Sequence, residues 1–163
     1  TLWHTLSLHD ALPISMRLTT RTNLAMRALM FCAVNPGATV RKSDIAEACN
    51  ASLNHLGLVI NLLAQAGFVE TTRGRNGGVQ LARPPEEIRV GAVFRKLESD
   101  VPFAECFARE DNTCPLAACC RLAGVLCKAL EAFYGALDDV TLADLTRNNH
   151  GLHTLLRIDP APA

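Results

Sequence analysis

Cys106, Cys114 and Cys120 are separated by seven and then five residues, with Asn112, Thr113 and Pro115 lying among them. Those companions favour turns, so the segment reads as a loop. A loop can wrap three thiolates around one inorganic centre, which a regular helix or strand cannot do at this spacing. Cys119 and Cys120 stand where a helical pattern begins. A helix N-terminus there carries partial positive charge and favours sulfur in its metal-binding thiolate form. The plainer alternative is a set of loop thiols without ligand role, but clustering in a polar, turn-rich stretch argues against simple burial. Cys119 reads equally as a spare ligand or a bystander. Cys32, Cys49 and Cys127 fall in or beside apolar helical patterns and read as small core residues.

The second set of chemistry-bearing residues lies earlier. Ser52, Asn54 and His55 open a helical pattern spanning 52–66, and Arg73, Arg75, Asn76 and Gly77 crowd one hairpin tip. Arginine supplies charge and a planar donor fork for phosphate or a narrow minor groove, and glycine lets a backbone approach closely. His55 could be purely structural, but the start of such a helix favours DNA contact. Arg17 and Arg41-Lys42 are further candidates for phosphate contact, although such charges are commonly just solvated.

The elements that must hold these residues can be read in order. Residues 1–15 lack a sustained period and read as a non-native or disordered extension, with Met16 the expected start. A first helix begins among Thr19–Thr22 and stops before Pro36-Gly37, with Arg17, Arg21 and Arg27 around its apolar face. A short helix follows, with Ser43 expected to cap it. Ser52 is expected to cap the next, whose stripe is Leu56, Val59, Ile60 and Leu63 and whose stop is Gly67. Phe68–Thr72 and Val79–Leu81 read as paired strands around the arginine–glycine tip, which makes that tip a wing. Two short helices and a wing define a winged helix-turn-helix over 16–83. Residues 84–157 hold a helix over 90–97, the cysteine loop, a long helix and a last helix near Thr141. The long helix carries Leu122, Leu126, Ala129, Phe133 and Leu137 with Val125 and Leu130. Such a stripe is too long for so small a domain to bury alone, and a second copy is the simplest cover. Residues 158–163 read as a disordered tail. The fold class is mainly α.

Composition agrees. The 163 residues suit one domain, or one domain with an appendage, and no apolar run approaches the roughly 20 residues that span a membrane. Seven cysteines, an odd number, in a chain without a secretory signal favour metal or redox chemistry over disulfides and point to the cytoplasm. Residues 16–90 carry nine Lys and Arg against five Asp and Glu, whereas residues 91–163 carry seven against ten. The basic front half therefore suits an anionic partner.

Arg-Leu-Thr near the start, Asn-His-Leu, Arg-Gly-Arg-Asn-Gly-Gly, the three spaced cysteines, Cys-Arg-Leu and Thr-Leu-Ala-Asp-Leu occur in this order. Together they resemble the dimeric winged-helix repressors that carry an iron–sulfur cluster, and among them the nitric-oxide-sensing members. The likeness covers nearly everything from Met16 to about Leu156. It implies that Cys106, Cys114 and Cys120 ligate a [2Fe-2S] or [4Fe-4S] cluster and that the long helix forms a homodimer. It further implies that the helix opened by Ser52 enters the major groove of a pseudo-palindromic operator while the wing reaches the minor groove, with nitric oxide as effector. The family's cluster-supply regulators place a histidine three residues after the last cysteine, where this chain has Ala123. The nitric-oxide-sensing members take a fourth ligand from a first-helix aspartate of the partner. The matching position here is Asn23, a poor iron ligand. Gly57-Leu58 is a second departure, where relatives carry longer polar side chains, so operator preference does not transfer.

Two rival functions share parts of this pattern. One is a regulator of the same family that responds to cluster supply or oxidation, and the other a zinc-binding or thiol-redox interaction protein. An enzyme is not expected, because no phosphate-binding glycine loop or paired acid–base constellation is present, and His150 and His153 read as surface residues near a frayed end.

Overall fold

The computed structural model describes residues 19–74, 77–98, 102–107 and 112–158. The expected extension over 1–15, Arg17, Arg75, Asn76 and positions 159–163 lie outside the described residues.

Helix α1 (Thr20–Val34) starts where the Thr19 side chain accepts a hydrogen bond from the Thr22 amide. It packs against elements from both ends of the chain, and nine of its residues are buried, which explains why its sequence shows little amphipathic contrast. Helices α2 (Lys42–Ala48) and α3 (Leu53–Gln65) form the helix-turn-helix. The turn passes through Asn50 at φ 49°, a left-handed conformation that asparagine tolerates better than most residues. The expected cap for α2 is corrected: helix geometry begins two residues earlier, after Arg41, with no side-chain cap. Ser43 lies inside the first turn and its hydroxyl bonds Asp44 Oδ1 at 3.0 Å instead. Ser52 does cap α3, accepting from the His55 amide at 3.2 Å, and Gly67 at φ 74° follows its end. Leu56, Val59, Ile60 and Leu63 are fully buried, each contributing on the order of 1.5–3 kcal/mol of apolar transfer.

Strands β1 (Val69–Thr72) and β2 (Gly78–Leu81) pair antiparallel, Val69 opposite Leu81 and Thr72 opposite Gly78. Val79 also exchanges backbone hydrogen bonds with Val40 at 2.8 and 2.9 Å, so the wing is anchored to the segment entering α2. After a one-turn 3-10 helix at Pro85–Glu87, α4 (Val90–Glu98) returns across α1. The chain is therefore a mainly α winged helix-turn-helix followed by a long helix, α5 (Arg121–Asp138).

The apolar pattern of α5 divides between two faces. Leu126, Leu130, Tyr134 and Leu137 are half-buried, and α5 packs on α4. There Arg95 bonds Asp138 at 2.6 Å and stacks 4.7 Å from the Tyr134 ring. Leu122, Val125 and Phe133 retain 59%, 61% and 45% of their surface, and no residue of α5 is buried. Cys127, expected in the core, is exposed, because it lies beyond the far edge of the face that α4 covers. Cys32 and Cys49 are buried as expected.

Helix α6 (Leu142–Thr146) opens with a capping box between Thr141 and Asp144. A further short helix, α7 (His150–Leu156), follows. Its end is not frayed. The Asn35 amide donates to the Leu156 carbonyl at 2.8 Å and its Oδ1 accepts from the Ile158 amide at 2.9 Å, closing α7 onto α1. His153 Nε2 lies 3.1 Å from the Thr146 carbonyl, so of the two histidines only His150 is a plain surface residue.

Candidate nucleic-acid interface and cysteine segment

The α3 N-terminus presents the residues expected to meet DNA. Ser52 and Asn54 are exposed and His55 is half-buried, with Arg73 exposed just beyond β1. Gly77 sits where a Cβ would collide with the Thr72 carbonyl, so the wing's return strand needs glycine there. Leu58, at one of the two departures from the family pattern, points outward with 65% of its surface free. An exposed leucine on this face offers methyl contacts rather than hydrogen bonds to base edges.

Beside α3 lies a polar cleft of about 400 Å³ whose lining includes Asn23, Arg27, Cys49, Asn50, Ser52 and His55. The structure thus brings Asn23, from the family's fourth-ligand position, to the same cleft as the opening of α3. Arg27 is a residue whose importance sequence reasoning missed. Its Nη1 donates to the Cys49 carbonyl at 3.1 Å and so braces the helix-turn-helix corner. Its spacing from Asn23, one helical turn, was the available signal. Burial, and then the neighbouring Cys49, push the Cys32 thiol up to about 12. Burial also raises Cys49, with Arg27 opposing. Both thiols are therefore protonated near neutrality and poor nucleophiles.

The described parts of the cysteine segment are isolated turns. Cys106 lies in a single 3-10 turn, Glu105–Phe107, beside an edge-on contact of Phe103 and Phe107 at 6.2 Å. The Cys114 amide donates to Asn112 Oδ1 at 3.1 Å, and the amides of Cys119 and Cys120 both donate to the Leu116 carbonyl. Cys120 is the N-cap residue of α5. Cys106, Cys114 and Cys120 are half-buried, Cys119 is exposed, and none forms a disulfide. Among the described residues no three His, Cys, Asp or Glu side chains stand close enough to hold a metal ion. The donor chemistry nevertheless suits an iron–sulfur cluster: three free thiols on one stretch of sequence, none of them within a regular α-helix. No described helix is long and apolar enough to cross a membrane.

Residues 18–148 match the family model Rrf2, described as an iron-dependent transcriptional regulator. The chain is 42% identical over 146 residues to the HTH-type transcriptional regulator NsrR of Halalkalibacterium halodurans, covering 89% of this chain and all of that one. It is likewise 42% identical over 144 residues to the NsrR of Bacillus subtilis, covering 88% and 99%. Among solved structures it is similar to T. potens IscR, with a TM-score of 0.65 at 28% identity over 83% of this chain and 89% of that one.

Proposed function

The chain belongs to the Rrf2 family of transcriptional regulators, and from that premise we propose that it is a cytoplasmic, homodimeric repressor that senses nitric oxide through an iron–sulfur cluster. The observation that carries this reading is the position of the thiols. Cys106, Cys114 and Cys120 occupy the segment that joins α4, packed on the DNA-binding half, to α5, whose outer face is bare. The similarity to regulators named NsrR supports it, as does Ala123, where the family's cluster-supply branch has histidine.

Cys106, Cys114 and Cys120 would hold the cluster; the family's fourth-ligand position is Asn23 here, a poor iron ligand, so water, a small thiol, Cys119 or another carboxylate would complete the set. When bound, the cluster supplies iron that nitric oxide can attack. Everything else falls to the chain. Two copies pair through the outer face of α5, which sets the distance between two α3 helices. Ser52, Asn54 and His55 meet base edges in the major groove of a pseudo-palindromic operator, and Arg73, Arg75, Asn76 and Gly77 bring the wing to the minor groove. Phosphate contacts supply most of the affinity. Releasing the three thiols frees the segment between α4 and α5 and shifts the spacing of the two reading heads. A spacing error costs contacts in both half-sites together.

Titrating anaerobically purified protein with nitric oxide while following operator binding tests this. Affinity is expected to fall as the iron is nitrosylated, and unchanged affinity at full nitrosylation rules the sensor role out. Brown colour with stoichiometric iron and sulfide separates this reading from a colourless zinc or thiol protein.

A further inference from the structure

The first turn of α1 is held by the last turn of α4. Glu98 Oε1 accepts from the Thr19 amide at 3.1 Å and from the Thr19 hydroxyl at 2.7 Å. One turn along, Arg21 Nη2 donates to the Leu97 carbonyl, one of the α4 carbonyls that no residue within the helix can satisfy. These bonds join residues nearly eighty positions apart, and Cys106 follows Glu98 by eight positions in the sequence.

Arg21 also has a second neighbour. It lines an open cleft of about 440 Å³ together with His55, Leu58, Asn61, Leu62 and Gln65, the outward flank of α3. Its Nε is buried and has no hydrogen-bond partner. A buried guanidinium nitrogen without a partner is costly, so the side chain is held there by its bond to α4 and by packing rather than by a full set of partners of its own. Glu98 reaches the other neighbouring helix as well. Burial first, and then the Glu98 carboxylate, raise the Tyr134 phenol of α5 above its ordinary range, with Arg95 opposing.

We propose that Arg21 and Glu98 are positioning residues that couple the cysteine segment to the recognition helix, by clasping the first turn of α1 to the end of α4 with Arg21 seated against α3. A rearrangement of the cysteine segment displaces the end of α4. The clasp then carries that displacement to the flank of α3 and to Asn23, two residues beyond Arg21. The sensing arm of this inference rests on the function proposed above; the mechanical arm does not.

The test uses the full chain with Arg21→Ala, Arg21→Lys and Glu98→Gln. In metal-free protein, hydrogen exchange is followed in the last turn of α4 and across Leu56–Leu63 of α3. Arg21→Ala is expected to speed exchange about tenfold in both places with the α1 midsection unchanged, and Arg21→Lys to restore part of the protection. Acceleration confined to α4 and the first turn of α1 overturns the coupling. In cluster-loaded protein, the ratio of operator affinities before and after nitric oxide is expected to fall about tenfold in Arg21→Ala and less in Glu98→Gln, at unchanged iron content. A ratio equal to wild type overturns it as well. A wild type indifferent to nitric oxide sinks the sensor reading alone, and the exchange measurement still decides the clasp.

Discussion

Helices α3 and α5 carry apolar stripes of similar quality and meet opposite fates. Leu56, Val59, Ile60 and Leu63 of α3 are wholly withdrawn from water, whereas α5, five residues longer, buries nothing completely. The difference lies in what surrounds them. Around α3 stand α1, α2 and β1, so its stripe is completed by its own chain. Around α5 the main cover is α4, on one flank, which leaves Leu122, Val125 and Phe133 open. The DNA-binding half is thus self-completing, whereas the half that carries the cysteines leaves one apolar face of α5 uncovered by this chain. That is the arrangement a switch needs, because a rigid reader can be moved only by a part that is not itself locked.

The strongest way to break this comparison is to charge the open face of α5. The double variant Leu122→Glu, Val125→Glu is expected to weaken self-association at least a hundredfold, about 3 kcal/mol, because paired faces would bury unpartnered carboxylates. Sedimentation against concentration reads the effect. Monomeric wild type at any concentration tested would refute a role for this face in pairing. The mirror experiment is Ile60→Ala in α3, which deletes wholly buried methyl groups and is expected to cost about 2–5 kcal/mol in denaturant unfolding. A loss below 1 kcal/mol there would mean that α3 is not completed by its own chain.

A milder set of four substitutions tests the cysteines. Cys106→Ser, Cys114→Ser and Cys120→Ser are each expected to lose most of the iron, and Cys127→Ser to keep it. Equal iron in all four would remove the ligand assignment. Cys127 also shows where the sequence stopped being legible. Its helix was readable from its period, but which face α4 would cover was not, since that depends on where the chain returns after the wing. Ser43 failed differently. Serine before an apolar run is a good cap on average, yet Arg41 is already extended and the helix is under way by Lys42. Locally encoded features were legible: the Ser52 cap, the Gly67 stop, the helix start near Thr141 and the pairing of the two wing strands all come from short stretches of sequence. The Arg21 and Glu98 contacts were not, because they join positions nearly eighty apart and leave no periodic trace. Asn23 was readable only by resemblance, and its cleft shared with His55 needed the fold.

A smaller effect separates the two halves by acidity. Asp138 holds α5 to α4 through Arg95 at 2.6 Å, and that hydrogen bond, against some desolvation and aided by the guanidinium charge, keeps its carboxyl below the ordinary 3.8. A carboxyl that is more acidic in the folded chain than in the unfolded one stabilises the fold at every pH above its unfolded value. That stabilisation disappears as pH falls through the folded value, so the window lies below about 4. Thermal unfolding of Asp138→Asn should therefore start from a slightly lower midpoint than wild type at pH 7 and converge on it in acid. The pair is solvent-exposed, so the shift is expected to be small and to shrink further in high salt. Asp144, lowered chiefly by its hydrogen bond from the Thr141 hydroxyl, titrates in the same window and must be replaced in both backgrounds for the comparison to be clean. If the midpoints stay parallel from pH 7 to 3 with Asp144 removed, the Arg95 bond does not hold α5 to α4, and that contact rests on the packing of Leu126, Leu130 and Leu137 instead.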